Sequence, residues 1–384
     1  MSINRTVLPF VLFALSSILS SNVYSSFDKD FFFELVKVSN EVALEELATL
    51  PQPHRIEYAL AIANYEISKG KYDLVDFWID YVLDNFPSDH IARSKSWFLK
   101  ATVSSHEGDV DGYYKYIDNA VEESIKGEDY QLTKYYLHSK ASSLHSAGRL
   151  AEARKVLNRL LEVFQAEPDD TERIMVLQEL SQVSYKMGDI ESSKKSAFAA
   201  NALNKSIQNL KAQGMIDKVL GNIARSEGES EIALQHLKRA IKIFSQLEEF
   251  HELGNCLYNK ALVEGSSGTY DQAILTLNEA LYIFTKQGSL GGVGMCYMTL
   301  GSYKMNLQEF DHSKLFLDLA KYFNDRSGSQ FRLAQTYMYI GHWHHSNRNI
   351  DDALLNYSES KRIYEELGLD SYVNKLSQLT KACH

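Results

Sequence analysis

The chain has 384 residues, 45% of them hydrophobic and 23% charged, a composition that excludes disorder as its main state. Its 40 basic and 50 acidic residues leave a net charge of -10, the wrong sign for a nucleic-acid footprint and for an anionic membrane surface. Only five prolines occur and none follows Pro168, so the last part of the chain lacks the residue that most reliably interrupts a helix.

The N-terminus reads as an export signal over residues 1–25. Arg5 and the terminal amine form a short positive region, and Val7 to Leu19 is apolar apart from Ser16, Ser17 and Pro9. Val23-Tyr24-Ser25 fits the small-residue rule for signal peptidase, with cleavage expected after Ser25. The apolar stretch is short for a membrane span. The expectation is therefore an exported protein, bacterial and periplasmic, with no integral span once the leader is removed. Secretion or an uncleaved signal anchor are the alternatives. Residues 27–50 follow with apolar side chains at helical spacing (Phe32, Leu35, Val36, Leu44, Leu47) on an acidic background, and predict a helix ending before Pro51 and Pro53.

From there to residue 367 the pattern repeats. Turn segments recur near Gly70, Gly108, Gly148, Gly188, Gly228 and Gly268, then at Gln308 and Arg348; the first step is 38 residues and every later one is 40. Seven residues before each turn stands a small residue: Ala63, Ala101, Ala141, Ser181, Gly221, Ala261, Gly301 and Gly341. Five residues after it comes another in most units, such as Ala153, Ser193, Ala233, Ala273, Ser313 and Ala353. A larger apolar side chain follows at nine residues, as at Ile79, Ile117, Leu157, Leu237, Leu277, Leu317 and Tyr357, and a small one returns at twelve, as at Ala120, Ala240 and Ala280. Two residues after the turn an apolar anchor is expected, from Tyr72 and Val110 to Ile350. Offsets of three, four and seven share a helix face. Each unit thus predicts a helix, a turn and a second helix, with small residues where the two approach and a large one filling the gap. Such a pair cannot bury its own apolar faces, so the units must stack. Residues 368–384, with Tyr372, Val373, Leu376 and Leu379 on one side, predict a capping helix.

The unit from Asn255 to Gln287, with "GTYDQA" followed by "NEALYIF", and the one from Met215 to Leu247, with "ALQHLKRAIKIFSQL", resemble the tetratricopeptide repeat in a longer form of about 40 residues. The period alone also fits HEAT-like repeats; the small residues at two fixed places of the second helix favour the tetratricopeptide form. The resemblance covers residues 56–367. It implies an all-α fold, a right-handed α-α superhelix of about eight helix-turn-helix units, in which the first helices line a concave groove. The first-helix positions that the resemblance places there include Gln178, Gln182, Lys218, Asn222, Arg225, Asn255, Tyr258 and Asn259 in the middle units. Tyr185 and Lys186 join them, and the last units add Met298, Ser302, Met305, Met338, Tyr339, His342 and His345. Amide side chains pair with both donors and acceptors of an extended backbone, so the implied partner is a protein or peptide, and the implied role an adaptor, sensor or assembly factor. A structural scaffold or the sensor half of a signalling system, using outer or terminal surfaces, is the alternative.

No catalytic constellation or cofactor motif is found, and no enzyme activity is expected. Gly291-Gly292-Val293-Gly294 lacks the preceding strand of a nucleotide loop, and His251-Glu252 lacks the second histidine of a zinc-protease helix. His342 and His345 share a helix face, but two ligands do not make a metal site. Cys256 and Cys296 hold the same place in neighbouring units, where stacked helices stand about 10 Å apart. That is beyond a disulfide's reach, so both thiols are expected to be free and packed. Oligomeric state and the partner's identity are not legible.

Overall fold

A computed structural model describes residues 40–382; the expected leader, the first part of the acidic segment and Cys383 lie outside these residues. The described residues hold 18 α-helices and no strand: α1 (Asn40–Ala48), α2 (Gln52–Lys69), α3 (Tyr72–Asn85), α4 (His90–Glu107), α5 (Val110–Lys126), α6 (Tyr130–Ser146), α7 (Leu150–Val163), α8 (Asp170–Lys186), α9 (Ile190–Ile207), α10 (Leu210–Ser226), α11 (Ser230–Gln246), α12 (Phe250–Ser266), α13 (Tyr270–Lys286), α14 (Leu290–Asn306), α15 (Phe310–Arg326), α16 (Gln330–Ser346), α17 (Ile350–Glu366) and α18 (Asp370–Ala382). Even-numbered helices from α2 are the first helices of the repeats, and odd-numbered ones from α3 the second. The chain falls into two compact units, one running to Lys140 and including Gln165–Glu167, the other comprising Ala141–Phe164 and Pro168 onward.

The turns explain why the helices stop where they do. Gly70, Gly108, Gly148, Gly188, Gly228 and Gly268 all have positive φ, the left-handed conformation that closes a helix. Gln308 and Arg348 adopt it as well, at φ 62 and 63, without a glycine's freedom. The residue after each turn returns its N–H to the carbonyl five positions back, as in Asp109 to Ser104 at 2.8 Å and Glu309 to Lys304 at 2.9 Å. Asp109 and Asp189 then cap the next helix through their side chains. Pro53 stands in the first turn of α2, where a missing N–H leaves no bond unmade.

The expected packing lattice is present. Ile79, Ile117, Leu157, Leu237, Leu277 and Leu317 are fully buried and Tyr357 nearly so, as are the alanines and serines five and twelve residues past the turns. The small position seven before the turn packs on the large one nine after it. A Cβ at Gly221 would come within 2.8 Å of Leu237 Cγ, and one at Gly301 within 2.8 Å of Leu317 Cγ. In the fourth repeat, where Ala197 leaves the large position small, Ser181 and Ser193 bond each other's carbonyls at 2.7 and 2.9 Å instead. The anchor two residues past the turn is only partly buried throughout, and Val110 is 43% exposed. Cys256 and Cys296 are both free and wholly buried.

A second set of left-handed turns joins one repeat to the next, at Glu128, Gln208, Glu248, Gly288, Gly328 and Gly368. The junction between α7 and α8 interrupts the series, because Pro168 occupies the equivalent place and its ring forbids positive φ. There α7 ends at Val163, followed by an irregular stretch to Asp169.

Leu237→Ala should lower stability by about 2–5 kcal/mol, the range for a buried leucine truncation that leaves a cavity. Urea unfolding followed by circular dichroism reads this out. A change within measurement error would mean the residue does not fill the space between α10 and α11.

Candidate functional site: the inner face of the second unit

Within the second unit the first helices face one another across an enclosed concavity. Arg332 on α16 acts electrostatically on Lys186 of α8, four repeats earlier, and Tyr185 of α8 acts on Tyr372 of α18. A Cβ at Gly148, in the unit's first turn, would lie 4.0 Å from Leu367 Cδ2 at the end of α17. The second unit therefore curls until its first turn comes beside the end of α17. Side chains projecting inward from α8, α10, α12, α16 and α18 share one space.

The residues nominated on sequence divide into two groups there. Gln178 is a correction: it is 5% exposed, and its Nε2 donates to the Ala212 carbonyl at 2.8 Å, so its amide ties α8 to α10 instead of facing the groove. Met298 and Met338 are likewise buried, at 4% and 8%, and belong to the core. Lys218 is nearly buried, its Nζ donating to Glu252 Oε2 of the next repeat at 2.6 Å. Burial pushes the Glu252 carboxyl up, but Lys218 outweighs it and holds the group below the usual carboxylate range. Tyr258 donates to or accepts from Thr299 Oγ1 at 3.1 Å, and burial raises its hydroxyl to about 12. Gln182, Asn255 and Asn259 are partly buried on inner helices, with Asn255 Nδ2 3.5 Å from Glu252 Oε2. Arg225 Nη2 donates to Tyr185 Oη at 2.9 Å, one repeat away. His342 Nδ1 lies 2.9 Å from Tyr357 Oη, which places it against the second helix of its own repeat.

Among the polar atoms that no solvent reaches and that have no hydrogen-bond partner are Asn222 Oδ1 and Arg225 Nε. Buried polar groups are ordinarily paired, because leaving one unmade costs about 1–3 kcal/mol. The first unit repeats the observation. Asn64 Oδ1 is also buried without a partner, and Asn64, like Asn222, stands six residues before its turn. It lines a cavity of about 330 Å³ between α2, α4 and α6, walled by apolar side chains including Leu60, Phe98 and Tyr136.

Sequence reasoning missed Arg332. It stands in the first turn of α16, at the register that Glu252 holds two repeats earlier, and so outside the helix positions chosen for the groove. Its guanidinium has room because Gly291 lacks a side chain: a Cβ there would come within 2.7 Å of Arg332 Nη1. A charge reversal at one register, facing a glycine one repeat back, is the signal that could have found it.

Lys186 is open to solvent yet surrounded by protein, and burial, then Arg332 and Lys218, lower its ammonium to about 8 from 10.5. Between those values the unfolded chain holds the extra proton. This group's stabilisation is therefore complete above pH 10.5 and is lost as pH falls through about 8. Lys186 should acylate ahead of surface lysines at pH 8, read by mass spectrometry of peptides after brief acetic anhydride treatment. Arg332→Gln should slow it. Labelling at the common surface rate in both proteins would contradict the assignment.

No protein-family model and no curated protein matches the chain. Solved structures do. A Rap protein complexed with Competence and Sporulation Factor superposes with a TM-score of 0.56 at 13% identity, over 85% of this chain and 97% of that one. A Signal Transduction ATPase with Numerous Domains from Pyrococcus horikoshii, carrying a tetratricopeptide repeat sensor, gives 0.51 at 12% identity over 94% of this chain and 66% of its own. A tetratricopeptide repeat protein from Parabacteroides merdae gives 0.50 at 14% identity, over 74% and 98%. At such identities the likeness is one of fold, and by fold the chain is a tetratricopeptide-type, all-α superhelical solenoid.

Proposed function

We propose that the chain is an exported binding module whose inner surface holds an extended segment of a partner protein or peptide, and that it works by binding, without catalysis or a cofactor. The observation that carries this reading is the pair of orphaned amide oxygens, Asn222 Oδ1 and Asn64 Oδ1, at one register of the inner helices. Each is an acceptor waiting for a donor, and the backbone N–H groups of an extended chain are donors at regular spacing. Two proteins of the same fold lend support: a Rap protein was captured with the Competence and Sporulation Factor, and the repeats of the Pyrococcus horikoshii ATPase are a sensor. Export rests on the leader-like residues 1–25, with the periplasm as the compartment. None of the described helices is long and apolar enough to cross a membrane.

A second reading has its own observation. On the second helices Leu275, Leu315 and Leu355 are 59%, 55% and 68% exposed at one register, and Tyr282 and Tyr322 are 64% and 54% exposed at another. An apolar ladder on the outer face is what a scaffold would present to a neighbour.

A crosslinking pull-down with the mature chain separates the two. Partners should be lost from Asn222→Ala plus Asn259→Ala and retained by Leu275→Ser plus Leu315→Ser; the reverse pattern establishes the outer face and refutes the groove. Export is tested by fusing a periplasm-dependent reporter after Ser26. Activity of the reporter is expected, and its retention in the cytosol would end the periplasmic assignment.

A further inference from the structure

The whole chain carries a net charge of -10, yet the inner face of the second unit gathers cations. Lys186, Lys218, Arg225 and Arg332 project from α8, α10 and α16, and the carboxylates beside them are Glu179 and Glu252. Glu252 is taken by Lys218 at 2.6 Å. Glu179 lies 3.7 Å from His145, whose other ring nitrogen accepts from Lys186 Nζ at 2.7 Å. Among the described residues neither arginine has a carboxylate partner. Arg225 bonds a tyrosine hydroxyl and leaves its Nε buried and unpaired, while the Arg332 guanidinium rests over Gly291.

Like charges held together in an enclosed space repel, and less water screens them than at a surface. Burial lowers the Lys186 ammonium most, and the nearby Arg332 and Lys218 lower it further. A ligand bearing negative charge removes that repulsion and supplies the acceptors the arginines lack. The cations come from three different helices, an arrangement that carboxylates spaced along a chain can meet one after another. The chain's net negative charge disfavours such a segment at random sites, so a local gathering of cations focuses the attraction.

We infer that the interior of the second unit receives an acidic peptide segment, whose Asp and Glu side chains pair with Arg225, Arg332 and Lys186. This rests on the reading that the inner surface is where a partner lies.

The test pans a library of random ten-residue peptides, displayed with both ends joined to the carrier, against the mature chain. It is repeated with Asn222→Ala plus Asn259→Ala and with Arg225→Gln plus Arg332→Gln. Peptides enriched by the natural sequence should be rich in Asp and Glu and be lost on both variants. As synthetic peptides with blocked ends they should bind about tenfold more weakly or worse to each arginine variant, and more weakly as NaCl rises. The melting temperature of Arg332→Gln should be unchanged or raised, since a repelling cation has gone, which separates lost binding from lost folding. Enriched peptides that are neutral or basic but still need Asn222 and Asn259 would overturn the inference and leave the groove standing. Enriched peptides indifferent to those asparagines would sink the groove reading with it, and no enrichment at all would also overturn the inference. So would equal binding of a neutral peptide with a free C-terminal carboxylate, or of a single-stranded thymidine oligonucleotide.

Discussion

The contact between the small residue seven before each turn and the large one nine after it sets everything else in this molecule. Gly221 against Leu237 and Gly301 against Leu317 leave less space than a methyl group needs. At those glycines the two helices of a repeat pack closer than a side chain would permit, and a small residue holds the same position from Ala63 to Gly341. A fixed spacing within pairs, repeated at a fixed period, is what makes the stack curl regularly. The curl of the second unit brings α8 within electrostatic reach of α16. Without the small residues there would be helices but no enclosed inner surface.

Inner and outer charges behave differently. On the second helices several ion pairs are local, one turn apart, such as Arg362 with Glu359 and Lys314 with Asp318, and lie in solvent where such pairs contribute little, though Arg154 and Lys194 reach Asp189 and Glu227 of the following repeat. On the first helices polar bonds run between repeats: Gln178 to Ala212, Lys218 to Glu252, Arg225 to Tyr185. Those bonds stitch one unit to another. An inner residue can thus be committed to the stack, as Gln178 is, or left with capacity to spare, as Asn222 is.

The period, the turns and the buried lattice were legible because each depends on a residue type that few alternatives can replace. Glycine marks a left-handed turn, and an alanine between two helices has no larger substitute. The helix-to-helix junctions were harder. Glu128, Gln208 and Glu248 take the same left-handed backbone as Gly288 and Gly328, so composition hides what geometry repeats. The site was legible only as a face. That Gln178 is spent on Ala212, that Met298 and Met338 turn into the core, and that Arg332 swings over Gly291 all depend on contacts about 34 to 41 residues away, which the helical period says nothing about. The residues outside the described structure, with the expected leader among them, stay a matter of sequence.

The uniform junctions from Gln208 to Gly368 have a consequence for how such a chain changes over time. Each enters the next repeat through a residue at positive φ, at a 40-residue spacing. Duplication or loss of 40 residues there would lengthen or shorten the inner surface without disturbing a single turn. Pro168 interrupts that series, because its ring cannot take the left-handed conformation the other junctions from Glu128 onward share. The regular spacing of the inner surface therefore runs unbroken from α8 to the end of the repeats, and this seam is where it begins.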